Sequence, residues 1–289
     1  MHMETDVPQL RMEAIEEFYD QSQAAASDQT LGRRARRILR TAIVIGALLV
    51  IWEIVSRSNV VSPVFFPAPL TIVKAFGDAM RTGFYGSTLG MNVLTSTLRV
   101  MVGFVAAVVI GIPLGLAMAR SDVIYDIVDP VLEFIRPVPP LAYIPLLVVW
   151  FGIGELPKTI LICVGTLPMV VFSSVAGVRG TPAQRVSVAR CFGASEWQVF
   201  WHVYLPSSLP EIFTGLRVGV GIAWSSLVAA ELIASSAGLG WMIEIAGREL
   251  RVSYIFIGIV LIGALGYLMD LCIRIMEHFV VPWRAHSSS

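Results

Sequence analysis

The chain has 289 residues, of which 56% are hydrophobic and 15% charged, with a mean hydropathy of +0.74. Soluble domains carry about 25% charged residues, so this balance excludes an ordinary soluble domain and implies an integral membrane protein. Net charge is zero and gives no argument for a nucleic-acid partner, and Cys163, Cys191 and Cys272 lack the spacing of a disulfide framework or a metal site.

The N-terminal segment carries Glu13, Glu16, Glu17 and Asp20 among Ala, Ser and Gln. It reads as a cytoplasmic extension over residues 1–37, disordered or with a short amphipathic helix over 9–19. The cluster Arg33, Arg34, Arg36, Arg37 and Arg40 directly precedes the first apolar run and argues that this side is cytoplasmic. A spanning helix needs about 20 mostly apolar residues, and six segments qualify: 38–55, 93–118, 131–151, 159–178, 212–233 and 254–276. The second opens on a polar turn, "LTSTLR", and the third is interrupted by "RPVPP". Six crossings return the C-terminus to the cytoplasm, and the basic residues Arg120, Arg179, Arg185, Arg190, Arg274 and Arg284 then fall on the inner side. Arg57, Lys74, Arg81, Lys158, Arg248 and Arg251 fall outside. The outer segments 69–80 and 239–250 each have helical spacing of apolar residues and read as surface helices, with Trp241 at headgroup level.

Between the fourth and fifth spans lies "GVRGTPAQRVSVARCFGASEWQVFWHVYLPSSLPEIFTGLR". Thr181 is placed to cap a helix that begins at Pro182. Gly193 is the natural stop, Ser195 with Gln198 forms a capping box for a second helix, and Pro206 is expected to end that helix near Leu205. A two-helix insert this short cannot bury Phe192, Trp197, Phe200 and Trp201 by itself. They pack on the bundle, on a partner, or on both.

This insert resembles the cytoplasmic loop of inner-membrane permease subunits of ATP-binding-cassette (ABC) importers. Its pattern is Glu-Ala-Ala, three residues, Gly, nine residues, then Ile-any-Leu-Pro, and it falls here on Ser187, Val188, Ala189, Gly193, Val203, Leu205 and Pro206. Ala, Gly, Leu and Pro match, Val203 replaces Ile, and Ser187 and Val188 depart from the pattern. The resemblance runs from about residue 49 to 283, and "RPVPPLAYIPLLVVWFGIGE" with "PEIFTGLRVGVGIAWSSLVAAELI" is similar to the subfamily that moves taurine, alkanesulfonates and nitrate, nearest to its taurine members. It implies an all-α polytopic fold of the type I importer class, with a permease domain over 38–283, a coupling loop over 180–210 and a tail over 284–289. The implied location is the bacterial inner membrane, multi-pass, with both termini cytoplasmic.

The implied partners are a second copy of the permease, a cytoplasmic ATPase dimer, a periplasmic substrate-binding protein and membrane lipid. The resemblance assigns ATPase coupling to Ser187, Ala189, Arg190, Gly193, Ala194, Ser195, Leu205 and Pro206. No G-x-x-x-x-G-K-[ST] element occurs in the chain, so ATP and Mg are expected on the partner ATPase, with no cofactor and no metal on this chain.

Ionisable residues inside spans are costly and mark functional candidates. Glu133, Arg136, Arg217 and Glu231, with Trp224, Ser225 and Ser226, are the candidates for a translocation path. Glu133 and Arg136 are spaced to pair with each other, Trp224 is better suited to core packing than to ligand contact, and Arg99 is placed to snorkel. The four His residues are scattered without zinc spacing, and no nucleophile–base set suggests a membrane enzyme. A channel working without ATP would have no use for a docking insert.

Overall fold

The computed structural model describes residues 39–58 and 62–283. The expectations for the N-terminal extension and the tail after residue 283 lie outside the described residues. The chain divides into two units, residues 1–70 and 71–289. In the first, helix α1 (Leu39–Arg57) is about 28 Å long at 1.5 Å per residue, close to the hydrocarbon thickness. Its apolar side chains, among them Ile43, Leu48, Ile51 and Ile54, are exposed, as a lipid-facing helix requires. The segment after it folds back on the end of α1. Ser56 Oγ donates to the Phe66 carbonyl at 3.0 Å, Glu53 accepts from Arg57 at 2.6 Å and from the Leu70 amide at 3.3 Å, and Trp52 sits 5.7 Å from the Phe66 ring.

The remaining helices are α2 (Pro69–Thr82), α3 (Leu89–Arg120), α4 (Asp122–Ile135), a 3-10 turn (Pro140–Tyr143), α5 (Ile144–Phe151), α6 (Glu155–Arg179), α7 (Ala183–Cys191), α8 (Glu196–Val199), α9 (Leu205–Ala234), α10 (Leu239–Arg248) and α11 (Val252–Val280). An antiparallel bridge between Phe84 and Ser87 is the only β pairing among the described residues. Among the described residues, five helices are long and apolar enough to cross a membrane, or six if the bent pair α4 and Pro140–Phe151 is one span.

Helix α6 is the centre of the second unit, buried by α3 on one side and α9 on the other. A seam of small residues permits this. Gly103 meets Ile162, Gly111 meets Val170 and Gly115 meets Ser174, all at the same sequence offset, so α3 and α6 run parallel. A Cβ on Gly115 would lie 2.6 Å from the Val171 carbonyl oxygen, so the two backbones touch, as small residues allow in lipid. Gly219 against Thr166 and Gly177 against Ser208 show α9 running antiparallel to α6. One end of this bundle therefore holds the start of α3, the start of α6, the end of α9 and α10. The other holds α7 and α8.

Several sequence expectations change here. The polar "LTSTLR" segment is no turn before a span, because α3 starts at Leu89, where the Thr88 hydroxyl accepts from the Met91 amide at 3.2 Å. Ser96 and Arg99 thus lie inside a helix, on its buried face. The third span breaks outright at its prolines, and its halves meet at 95°. The 239–250 segment is not merely interfacial: Leu239, Met242 and Ala246 of α10 are buried against Phe84, Leu89 and Ile257. The expected stop at Pro206 is also absent. The chain stays helical from Glu196 onward through a π turn at Phe200–Tyr204, in which the Leu205 amide reaches back to the Phe200 carbonyl. Pro206 lies in the first turn of α9. Proline lacks an amide and clashes with the preceding turn, and a single wider turn just before it carries the helix through.

Candidate functional site

Three places in the second unit gather chemistry. The first is the two-helix knob between α6 and α9. Thr181 does not cap α7, since its hydroxyl points back to the Gly177 carbonyl at 3.4 Å and Pro182 takes the cap position without a side-chain bond. The stop at Gly193 has a defined geometry. Its φ is +81°, its amide donates to the Arg190 carbonyl at 2.9 Å, and the Ala194 amide donates to the Ala189 carbonyl at 3.1 Å. This pair of bonds is a Schellman motif, which needs a left-handed residue where Gly193 sits.

Ser195 then starts α8 with a full capping box. Its hydroxyl accepts from the Gln198 amide at 3.4 Å, and Gln198 Oε1 accepts from the Ser195 amide at 2.8 Å. Arg190 spans the turn with bonds of 2.9 and 3.1 Å to the two Glu196 oxygens. That carboxylate raises the Arg190 guanidinium further above its usual value, so Arg190 stays charged.

The knob is two-sided. Val186, Val199 and Phe200 are buried, with the Arg120 guanidinium 5.0 Å above the Phe200 ring. Phe192 is 88% exposed and Trp197 65%, and Trp197 packs edge-on against Trp201 at 5.5 Å. Ser187 lines the crevice beneath the knob together with Arg120, Arg179 and Arg190. Ala189 and Ala194 are half-buried beside the Gly193 turn, and Leu205 and Pro206 are half-buried at the start of α9.

The second place is the break in the third span. Arg136 caps α4 and lines a cavity of about 190 Å³ with Pro140, Tyr143, Gly165, Pro168 and Ile222. The expected pairing with Glu133 does not form. Both side chains are exposed, and Arg136 instead lies over the Phe172 ring at 5.8 Å. Pro140 and Ile222 are shared with an adjoining groove that Ser225 also lines. The other path candidates are engaged elsewhere. Arg217 binds Asp270 at 2.9 Å, and Asp270 also holds Arg274 at 2.7 Å. Trp224 is buried in the core shared with α11, its ring within 3.5 Å of a Cβ placed on Gly266. Ser226 is buried and bonds to the Ile222 carbonyl of its own helix at 2.8 Å.

The third place was not foreseen. Arg99, expected to snorkel, is only 7% exposed, and Glu231 is 1% exposed. Arg99 Nη1 donates to Glu231 at 2.6 Å and to the Ala237 carbonyl at 2.7 Å, while Nε and Nη2 grip Glu155 at 2.5 and 2.7 Å. Lys158, also buried, holds Glu155 at 3.0 Å. Glu231 further accepts from Ser96 Oγ at 2.8 Å and from the Gly240 amide at 2.8 Å. Asn92 and Ser96 accept the Gly238 and Leu239 amides at 2.9 and 2.8 Å. Glu231 is therefore a fastener between α3, α9 and α10, its oxygens all occupied by protein donors. The signal for this lock was present as opposite charges, Arg99 and Lys158 against Glu155 and Glu231, on or beside separate apolar spans. Asp270 was missed in the same way.

Among the described residues no group of three or more His, Cys, Asp or Glu is placed to hold a metal ion. The arrangement as a whole is a bundle with a charge-locked end, a broken span at its middle and a preformed knob at its other end.

The chain is similar to known proteins. Residues 111–283 fit the family described as binding-protein-dependent transport system inner membrane component, and the chain belongs to this family. It is a multi-pass inner-membrane transport component, not itself an enzyme. The chain is 42% identical over 250 residues to the taurine transport system permease protein TauC of Escherichia coli K12, covering 86% of this chain and 91% of that one. It is 34% identical to the nitrate import permease protein NrtB of a Synechocystis strain, covering 85% and 90% of the two chains. Among solved structures, an inward-facing form of the MetNI methionine ABC transporter shares the fold, with a TM-score of 0.54 at 19% identity over 64% of this chain and 94% of that one.

Proposed function

We propose that this chain is the permease of an ABC importer for taurine or a related small sulfonate, and that it couples passage to ATP hydrolysis on a separate cytoplasmic ATPase through residues 180–210. The observation that carries the coupling role is the knob itself. A Schellman turn at Gly193 and a capping box at Ser195 hold Phe192 and Trp197 outward on a rigid support. Exposed aromatics on a prefolded two-helix element suit a protein groove. Ser187, Ala189, Arg190, Gly193, Ala194, Ser195, Leu205 and Pro206 form or flank that element and are the proposed coupling residues.

In this reading the knob and both termini face the cytoplasm, and the charge-locked end faces the periplasm, where a substrate-binding protein delivers its cargo. Two copies of the chain enclose the path. Closure of two ATPase subunits on ATP and Mg draws two knobs together and rocks the copies between inward- and outward-open states. Of the path candidates, Arg136 and Ser225 line open space, with Glu133 exposed one turn before Arg136. Glu231, Trp224 and Ser226 serve packing. The similarity to TauC over most of both chains supports taurine, and the lower similarity to NrtB makes nitrate the alternative cargo.

The test is uptake by the complete complex with its ATPase and binding protein in liposomes, comparing taurine, longer alkanesulfonates and nitrate. Accumulation of taurine that depends on ATP is the expected result. Uptake by the permease without any ATPase would reject the coupling role in favour of a channel.

A further inference from the structure

Helix geometry fixes the height of the break. Its cavity is lined by Gly165 and Pro168 near the middle of α6 (Glu155–Arg179) and by Ile222 near the middle of α9 (Leu205–Ala234). Those helices lie at the centre of the second unit, so the cavity sits close to mid-bundle. Irregular backbone at such a depth is tolerated only where protein buries it or where it borders a cavity, and broken helices near the midplane are where membrane carriers hold their cargo. The break is built by Pro137, Pro139 and Pro140, which deny the chain a continuous helix.

The charge at this break is one-sided. Arg136 is the only ionisable residue among those lining the cavity, except for the Tyr143 phenol. The adjoining groove is lined by none, its polar member being Ser225. Elsewhere in the second unit's spans, Arg99 and Lys158 at the locked end are matched with Glu155, Arg99 also with Glu231, and Arg217 is matched with Asp270. Arg136 has no such partner among the described residues and meets only the Phe172 ring. An unpaired cation is costly within a membrane. A planar guanidinium presents a fork of donors suited to a small oxyanion.

We infer that Arg136 is an anion-recognising residue of the translocation path, which receives the sulfonate, or another small oxyanion, of the cargo as it passes the break. The inference rests on the reading of this chain as the path-forming permease. It adds that the permease reads the charge of its cargo and does not leave selection to the binding protein alone. In taurine, Arg136 faces the sulfonate, and the wall of Pro140, Pro168 and Ile222 borders the two methylene groups that separate it from the ammonium.

The experiment uses the complete complex in liposomes, with wild type, Arg136→Gln and Arg136→Lys. It reads ATP-dependent uptake of taurine and of nitrate together with the thermal midpoint of each complex. Arg136→Gln is expected to lower uptake of whichever anion the wild type carries by about tenfold, the scale of one charge-assisted hydrogen bond, at an unchanged midpoint. Arg136→Lys, which keeps the charge, is expected to retain more uptake than Arg136→Gln. Uptake by Arg136→Gln equal to wild type overturns the inference and leaves the permease reading standing. Equal loss in both variants, or a lowered midpoint for Arg136→Gln, also overturns it, since the residue then acts through shape or stability. Failure of the wild-type complex to accumulate either anion overturns the cargo reading itself, independently of any variant.

Discussion

Arg99 and Arg136 are both arginines of apolar spans, yet their surroundings are opposite. Arg99 is buried, its donors spread over Glu155, Glu231 and the Ala237 carbonyl, and its partners are themselves held by Lys158, Ser96 and the Gly240 amide. Arg136 is exposed at the edge of a cavity with an aromatic face for company. The first fastens helices, because a buried charge network is stable only when every member is satisfied. The second is left available, because no residue nearby completes it. Charge inside a membrane bundle therefore does two kinds of work, told apart by partners and not by position in the sequence.

The sharpest way to break this comparison is to remove each side chain in turn. Arg99→Leu strands the buried Glu231 and is expected to cost about 3–5 kcal/mol, read as loss of monodisperse permease and a lowered thermal midpoint in detergent. Arg136→Leu is expected to leave that midpoint unchanged, and similar losses in the two variants would show that both arginines serve as fasteners. A smaller effect is expected at the α3–α6 seam. Gly115→Val drives a side chain into the Val171 backbone, where even a Cβ has only 2.6 Å, at about 1–3 kcal/mol by analogy with overpacked cores. Gly263→Ala, with no atom within 4 Å of its Cβ, is the control without a clash, expected to hold or slightly raise the midpoint through helix propensity.

At the knob, Gly193→Val forces a β-branched residue to a φ of +81°, a strain of about 1–2 kcal/mol with no clash, since nothing lies within 4 Å of the added Cβ. The global midpoint should move little while ATPase-coupled uptake falls, and Gly193→Asn, tolerant of the left-handed region, should retain more. The smallest effect belongs to Arg190→Ala. It removes an exposed pair with Glu196 that water and salt screen, so the midpoint should not change measurably. A clear drop would mean that the knob depends on this pair for its shape.

Much of this architecture was legible in the residues. The spans, the capping box at Ser195 and Gln198, and the stop at Gly193 follow from local rules, because caps and left-handed turns are decided by a few neighbouring residues. What local rules could not show were the partners. Glu133 and Arg136 are three residues apart on a helix, yet the pair does not form and Arg136 lies over Phe172 of α6. Arg99 and Glu231 lie 132 residues apart, and only the parallel packing of α3 on α6 and the antiparallel return of α9 bring them together. Pro206 misled in a related way, since a π turn at Phe200–Tyr204 removes the conflict that a proline creates in a regular helix.

Because that turn keeps the helix unbroken, one rod of 37 residues, Glu196–Leu232, runs from the knob to the Glu231 lock. At 1.5 Å per residue it is about 55 Å long. A tilt of about 5° around its midpoint shifts each tip by about 2.4 Å in opposite directions, by the same helix geometry. If the rod tilts as one body, movement imposed on Trp197 reaches Glu231 as leverage, with Gly215 and Gly219, packed on α6, close to the fulcrum.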